Sequence, residues 1–126
     1  MAERKLSELM QMQRMLWQQH RDSWDPMEPE YARNSMLYLV EELGECIALL
    51  KKQGEREIAD NPAVRSAFVT EMSDVLMYYL DTLLRFGITA QELTDAYTAK
   101  HEYDKKRDYQ TEYDAWKTRL EVSFKD

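Results

Sequence analysis

Cysteine, glycine, proline and histidine are all scarce in this 126-residue chain, and each scarcity removes a class of protein. One cysteine, Cys46, rules out an intramolecular disulfide and any cysteine-rich zinc site. It sits inside a helical apolar pattern and reads as a buried structural thiol rather than a reactive one. Three glycines and three prolines argue against a turn-rich β fold and for long regular elements. The two histidines, His20 and His101, are preceded three residues earlier by Trp17 and Thr98, so the Glu-x-x-His pairs of a di-iron carboxylate bundle are absent. No run approaches the ~18 apolar residues of a membrane span, and MAERKLSEL has no apolar signal core, so the expectation is a soluble, cytoplasmic protein without a membrane partner. Basic residues are outnumbered 17 to 24, for a formal charge of −7, which argues against non-specific binding to a nucleic-acid backbone. An acidic chain still acts on polyphosphates where divalent cations bridge the two.

What is present is apolar surface in helical register. At 44% hydrophobic and 11% aromatic residues the chain can build a core, and its length suits a single domain. A first helix is expected from about Leu6 to Arg21, carried by Leu6, Leu9, Met10, Met12, Met15 and Leu16. It stops before a linker containing Pro26 and Pro29. A second helix spans about Glu30 to Gln53, with a main stripe of Met36, Leu39, Val40, Leu43, Ile47 and Leu50 and a stop at Gly54. After a polar connection, Asn61-Pro62 opens a third helix to about Phe86, striped by Val64, Phe68, Met72, Val75, Tyr79 and Leu83. Thr89 and Glu92 have capping-box spacing and start a fourth helix that continues through residues 100–109. Period-2 alternation and internal repeats are lacking, so the expected fold is all-α, a four-helix bundle. Helices two and three are apolar around most of their circumference, which predicts an oligomer.

Carboxylates carry the chemistry. Glu42 and Glu45 are three apart on helix two, as are Glu71 and Asp74 on helix three, so each pair shares a helix face. At about 100° per residue, Glu42 and Glu45 share their side with Tyr38, Cys46 and Leu49. Glu71 and Asp74 share theirs with Tyr78 and Asp81. Acidic pairs at this spacing usually belong to solvated faces. Two pairs on neighbouring, largely apolar helices are a different matter, because convergent carboxylates repel unless a cation lies among them. Hard divalent cations take oxygen ligands, and Mg²⁺ leaves positions for water and phosphate, with Mn²⁺ able to substitute. The implied reaction is metal-assisted phosphoanhydride hydrolysis, with Glu41 or Asp81 available to orient or deprotonate the water.

Glu42-x-x-Glu45, 25 residues, then Glu71-x-x-Asp74 resembles the signature of the all-α nucleoside triphosphate pyrophosphohydrolases, the group of MazG, the dCTP pyrophosphatases, the dimeric dUTPases and phosphoribosyl-ATP pyrophosphatase. LVEELGECIALLKK and FVTEMSDVLMYYLDTLLRFGIT look like a MazG-type domain over roughly residues 30–109 of a single domain, with 114–126 as a tail carrying Trp116 and Phe124. The resemblance implies an oligomeric (homodimeric or homotetrameric) enzyme that cleaves (d)NTP to (d)NMP and pyrophosphate. It implies Mg²⁺ on Glu42, Glu45, Glu71 and Asp74, with Glu41, Glu42, Glu71 and Lys100 as catalytic residues. The family's phosphate-contacting Lys, Asn and Arg fall on Lys100, Asp104 and Arg107, so Asp104 departs from the pattern; Lys105 and Lys106 are available to compensate. ARNSMLYLVEELGE is similar to dCTP pyrophosphatases and adds Asn34, with Trp24 and Tyr78, to the substrate-binding set. Trp17 is a core residue or a base-stacking one. Two other readings stand beside the enzyme. One is a catalytically weak nucleotide- and metal-binding helical oligomer with a regulatory role; the other is a Met-rich structural interaction protein.

Overall fold

The computed structural model describes residues 1–125, with side chains through Ser123, so the expectation for Phe124 lies outside the described residues. It is all-α. The helices are α1 (Leu6–His20), α2 (Ala32–Gln53), α3 (Glu55–Asp60), α4 (Pro62–Arg85), α5 (Ala90–Lys105) and α6 (Tyr109–Lys125), with a 3₁₀ turn, Pro29–Tyr31, leading into α2. Among the described residues there is no strand, and no helix is long and apolar enough to cross a membrane.

Local chemistry sets these boundaries. Asn61 caps α4 by accepting from the backbone N–H groups of Ala63 and Val64, with Pro62 at the first position where no N–H is needed. Gly87, at φ 68°, ends α4 in a Schellman turn whose Ile88 N–H donates to the Leu83 carbonyl. Thr89 caps α5 by accepting from the Glu92 N–H. Two elements differ from expectation. The connection after Gly54 contains α3, built from Glu, Arg and Ala with Glu55 and Glu57 in its first turn, where acidic side chains suit the helix dipole. The fourth expected helix is two, because Asp108 takes both the N–H and the hydroxyl of Thr111 and so caps a new helix.

Contacts divide the chain into two compact units, residues 1–92 and 93–126. In the first, α2 and α4 pack along one another as an antiparallel pair, and α1 and α3 pack on α4. The register is uniform. Ser35 meets Asp81 and Tyr38 meets Tyr78, each pair centred on residue 58, and Glu45 meets Glu71 in the same register. The most buried residues of this unit include Met10 of α1, Ala32 and Ser35 of α2 and the whole run Leu80–Arg85 of α4, with Ser35 bonded to Asp81. Farther along, the expected main stripe of α2 divides: Leu39 and Leu50 are half-buried, whereas Met36, Val40, Leu43 and Ile47 are exposed, Val40 at 62%. On α4, Val69, Met72, Leu76 and Tyr79 form a second exposed row at helical spacing. The seam between α2 and α4 is made by the other, carboxylate-bearing faces.

Candidate metal and nucleotide site

The α2–α4 seam places Glu42, Glu45 and Glu71 together, with one oxygen of each within 4.8 Å of the others. Because the helices are antiparallel and the acids three apart, the two pairs come level across the seam rather than lying at opposite ends. Glu71 is half-buried, and its Oε2 is fully buried with no hydrogen-bond partner. A buried carboxylate oxygen without a donor is costly and needs a cation or a proton. Burial, then the hydrogen bond and charge of Glu45, then Asp74 push the Glu71 carboxyl above its usual range. Burial and, next, Glu45 raise Glu42 likewise, with Asp74 and Glu71 adding to the effect. All these groups are acceptors when ionised, so the cluster has the donor chemistry of a hard-cation site.

Asp74 and Glu42 line a cavity of about 500 Å³ in the first unit, a size suited to a nucleotide-like molecule. Glu42 thus belongs both to the cluster and to the cavity wall. The far wall includes Gln13 and Leu16 of α1 and the linker residues Ser23, Trp24 and Asp25. Burial, then Glu42, raises the Tyr78 phenol, and Tyr78 also lines the cavity, 5.6 Å centroid to centroid from Tyr38. Burial also raises the Cys46 thiol, with Glu71 and Glu42 adding to it, so Cys46 is an inert thiol beside the acids.

The linker wall is strapped down. Arg85 donates through Nε to Asp81 Oδ2 at 2.7 Å and through Nη1 to the carbonyls of Asp25, at 3.1 Å, and Pro26. Ser35 donates to the same Asp81 oxygen, Trp17 Nε1 to the Asp25 carbonyl at 2.8 Å, and Asn34 Nδ2 to Asp25 Oδ2 at 3.0 Å. Trp24 stacks on His20, with ring centroids 4.6 Å apart, and lines the cavity. Trp17 is therefore a half-buried anchor for the linker, and Asn34 ties that linker to α2.

Sequence-expected residues divide on this geometry. Glu42, Glu45 and Glu71 form the cluster, and Asp74, Tyr78 and Trp24 border the cavity with Glu42. Glu41 is exposed and belongs to neither; Asp81 borders the cavity but is already paired with Arg85 and Ser35. Lys100, Asp104 and Arg107 lie in the second unit, where they pair with one another: Lys100 Nζ is 3.0 Å and Arg107 Nη1 3.2 Å from Asp104 Oδ1. Hydrogen bonds from Lys100 first, then Arg107, hold Asp104 below its usual value. Arg107 also reaches Glu112 at 2.8 Å and lies over the Tyr109 ring at 4.6 Å. Lys105 pairs with Glu102. Gln13, Ser35 and Arg85 were not anticipated from sequence. Only the tertiary pairing of α1, the linker, α2 and α4 gives them meaning, although Arg85 four residues after Asp81 was a visible i,i+4 pair.

Set against protein-family models, curated proteins and solved structures, the chain has no match. Its class is defined by its own geometry: an all-α protein with a carboxylate cluster at the edge of a nucleotide-sized cavity.

Proposed function

We propose that this protein is a Mg²⁺-dependent nucleoside triphosphate pyrophosphohydrolase of the MazG type, converting (d)NTP to (d)NMP and pyrophosphate. One observation carries the reading: the orphaned, buried Glu71 Oε2 lies in a three-carboxylate cluster that opens, through Glu42, onto a cavity of about 500 Å³. The donor set fits the ion. Glu42, Glu45 and Glu71 would hold it, with Asp74 on the cavity side. When bound, Mg²⁺ polarises phosphoryl oxygens and lowers the pKa of an attacking water.

The chain's own groups supply the rest. Glu42 and Asp74, on the cavity wall, orient the water, and Glu42, raised by burial and then by Glu45, receives its proton. Asp81 stays committed to Arg85 and preserves the cavity wall. Lys100 and Arg107 of the second unit are cations able to bind phosphate oxygens once released from Asp104. The exposed rows on α2 and α4 are covered by a second copy, so the working form is a homodimer or homotetramer.

The test is pyrophosphate release from a panel of ribo- and deoxynucleoside triphosphates, with Mg²⁺ and with chelator. Metal-dependent pyrophosphate with monophosphate as co-product is the expected result, and no release from any member would refute it. The Lys100–Asp104–Arg107 pairing favours one alternative, a catalytically weak nucleotide-binding oligomer with a regulatory role, because both phosphate-binding cations are already neutralised. Tight Mg²⁺-nucleotide binding without product would select that reading.

A further inference from the structure

The cavity wall contains a polar group that the fold itself does not use. Gln13 is a mid-helix residue of α1, only 8% exposed, and it lines the cavity. Its neighbours on that wall are committed. Arg85 is shared between Asp81 and the linker carbonyls, Asp81 between Arg85 and Ser35, and Asp25 Oδ2 is taken by Asn34. The Gln13 amide makes no hydrogen bond to any described residue, and its polar atoms keep access to the cavity rather than being sealed in the core. A primary amide that borders a cavity without protein partners keeps its donor and its acceptor available to a ligand.

We propose that Gln13 is the specificity residue of the cavity, its amide pairing with the hydrogen-bonding edge of a nucleobase. The inference rests on the nucleotide reading above and adds to it which atoms recognise the base. An amide offers one donor and one acceptor side by side. Every common base carries the matching adjacent pair: the amino group and N3 of cytosine, the imino N–H and carbonyl of uracil or thymine, the amino group and N1 of adenine, the N1–H and O6 of guanine. No hydrogen bond fixes the orientation of the Gln13 side chain, so a half-turn of the amide serves either order. Gln13 therefore demands a base edge without choosing strongly between amino and oxo bases. Arg85 and Asp81 do not compete for this role, because they already neutralise one another, and Glu42 and Asp74 on the same wall are assigned to the metal and the water.

The chemistry of a substitution follows. Gln13→Glu replaces the mixed edge with two acceptors at nearly constant shape. Guanine alone presents two adjacent donors, N1–H and N2–H, to such a group, so its nucleotide should bind Q13E best while the others weaken. Gln13→Leu removes both hydrogen bonds and keeps an apolar side chain of similar size beside Leu16.

The probe is calorimetry of the full chain with the nucleoside monophosphates in Mg²⁺, with 2-deoxyribose 5-phosphate as the base-free control. Q13L is expected to weaken the monophosphates about tenfold, the worth of one or two neutral hydrogen bonds, and to leave the control unchanged. Q13E is expected to move the preference to guanine. Equal affinities of wild type and Q13L, equal loss for the base-free control, or no monophosphate binding by the wild type would each overturn the assignment. Pyrophosphate release is a separate readout. If it is absent while Gln13-dependent monophosphate binding persists, the hydrolase reading fails and this one stands.

Discussion

Glu45 of α2 and Glu71 of α4 face one another across the helix seam, and the second oxygen of Glu71 is buried there without a partner. The arrangement is unfavourable in the bare fold. Glu71→Gln removes one negative charge and supplies a donor, so in chelator the variant should melt at a higher temperature than the wild type. Mg²⁺ should raise the wild-type melting temperature and leave E71Q almost unmoved, and pyrophosphate release by E71Q should fall at least a hundredfold. A fully active E71Q would remove the metal assignment.

The same crowding fixes a pH dependence. Glu42 and Glu71 both have carboxyls raised in the fold, by burial first and then by Glu45. A raised acid group binds its proton more tightly in the folded than in the unfolded chain, so its stabilising contribution is complete below the ordinary carboxylate value of 4.5. That contribution is lost as pH rises through the raised folded values. In chelator, stability should therefore decline from pH 4.5 towards neutrality, which urea titration at stepped pH measures. Saturating Mg²⁺ should flatten the decline. A metal-free protein that gains stability over this interval would contradict the clustering.

How far the sequence reveals this site follows from which interactions are local. Glu42, Glu45, Glu71 and Asp74 could be found because spacing of three is a helix-face relation, and Asn61-Pro62 and Gly87 set the ends that bring the two pairs level. The direction of α2 could not. It carries apolar residues on two faces, and counting them selects the stripe from Met36 to Leu50, of which Met36, Val40, Leu43 and Ile47 are left exposed and only Leu39 and Leu50 are half-buried. The face that meets α4 carries Ser35, Glu42 and Cys46, and its partner Asp81 is 46 residues from Ser35 along the chain. Gln13 was hidden for the same reason: a polar residue in an amphipathic helix looks solvated until the linker and α4 close over it. The break at Asp108 was legible in principle, since Asp before Tyr-Gln-Thr-Glu is an N-cap pattern.

Arg85 and Asp81 are 5% and 7% exposed at their side chains, and together they pin the linker that walls the cavity. Removing one partner leaves the other charge buried and unpaired, so Arg85→Met should cost about 3–5 kcal/mol in urea denaturation. The double variant with Asp81→Asn should recover part of that loss, because no isolated charge remains. A small loss for R85M would mean that solvent reaches Asp81 and that the linker is held by Trp17 and Asn34 alone.

Asp104 accepts from Lys100 and Arg107, and it neutralises the two cations that the proposed function assigns to phosphate. Asp104→Asn removes the negative charge and keeps a side chain of the same shape. Its melting temperature should hardly change, since these are solvent-screened pairs. The KM for a nucleoside triphosphate should fall several-fold, with the larger gain at low ionic strength. Steady-state kinetics at two salt concentrations would show it, and an unchanged KM would place Lys100 and Arg107 outside phosphate recognition.

The exposed rows Met36, Val40, Leu43, Ile47 on α2 and Val69, Met72, Leu76, Tyr79 on α4 repeat at steps of three and four, the pattern of helices that meet other helices. A 15.1 kDa chain that leaves both rows in water would forgo much of its available apolar burial. Light scattering should therefore give a mass of at least two chains. Val40→Glu places a charge in the centre of the α2 row without touching the α4 seam, so it should shift the mass towards one chain and lower the melting temperature in a concentration-dependent way. The carboxylate cluster is contained in one chain, so Mg²⁺ should still stabilise V40E. A wild-type mass of 15.1 kDa, or an assembly indifferent to V40E, would mean that these rows are not the contact.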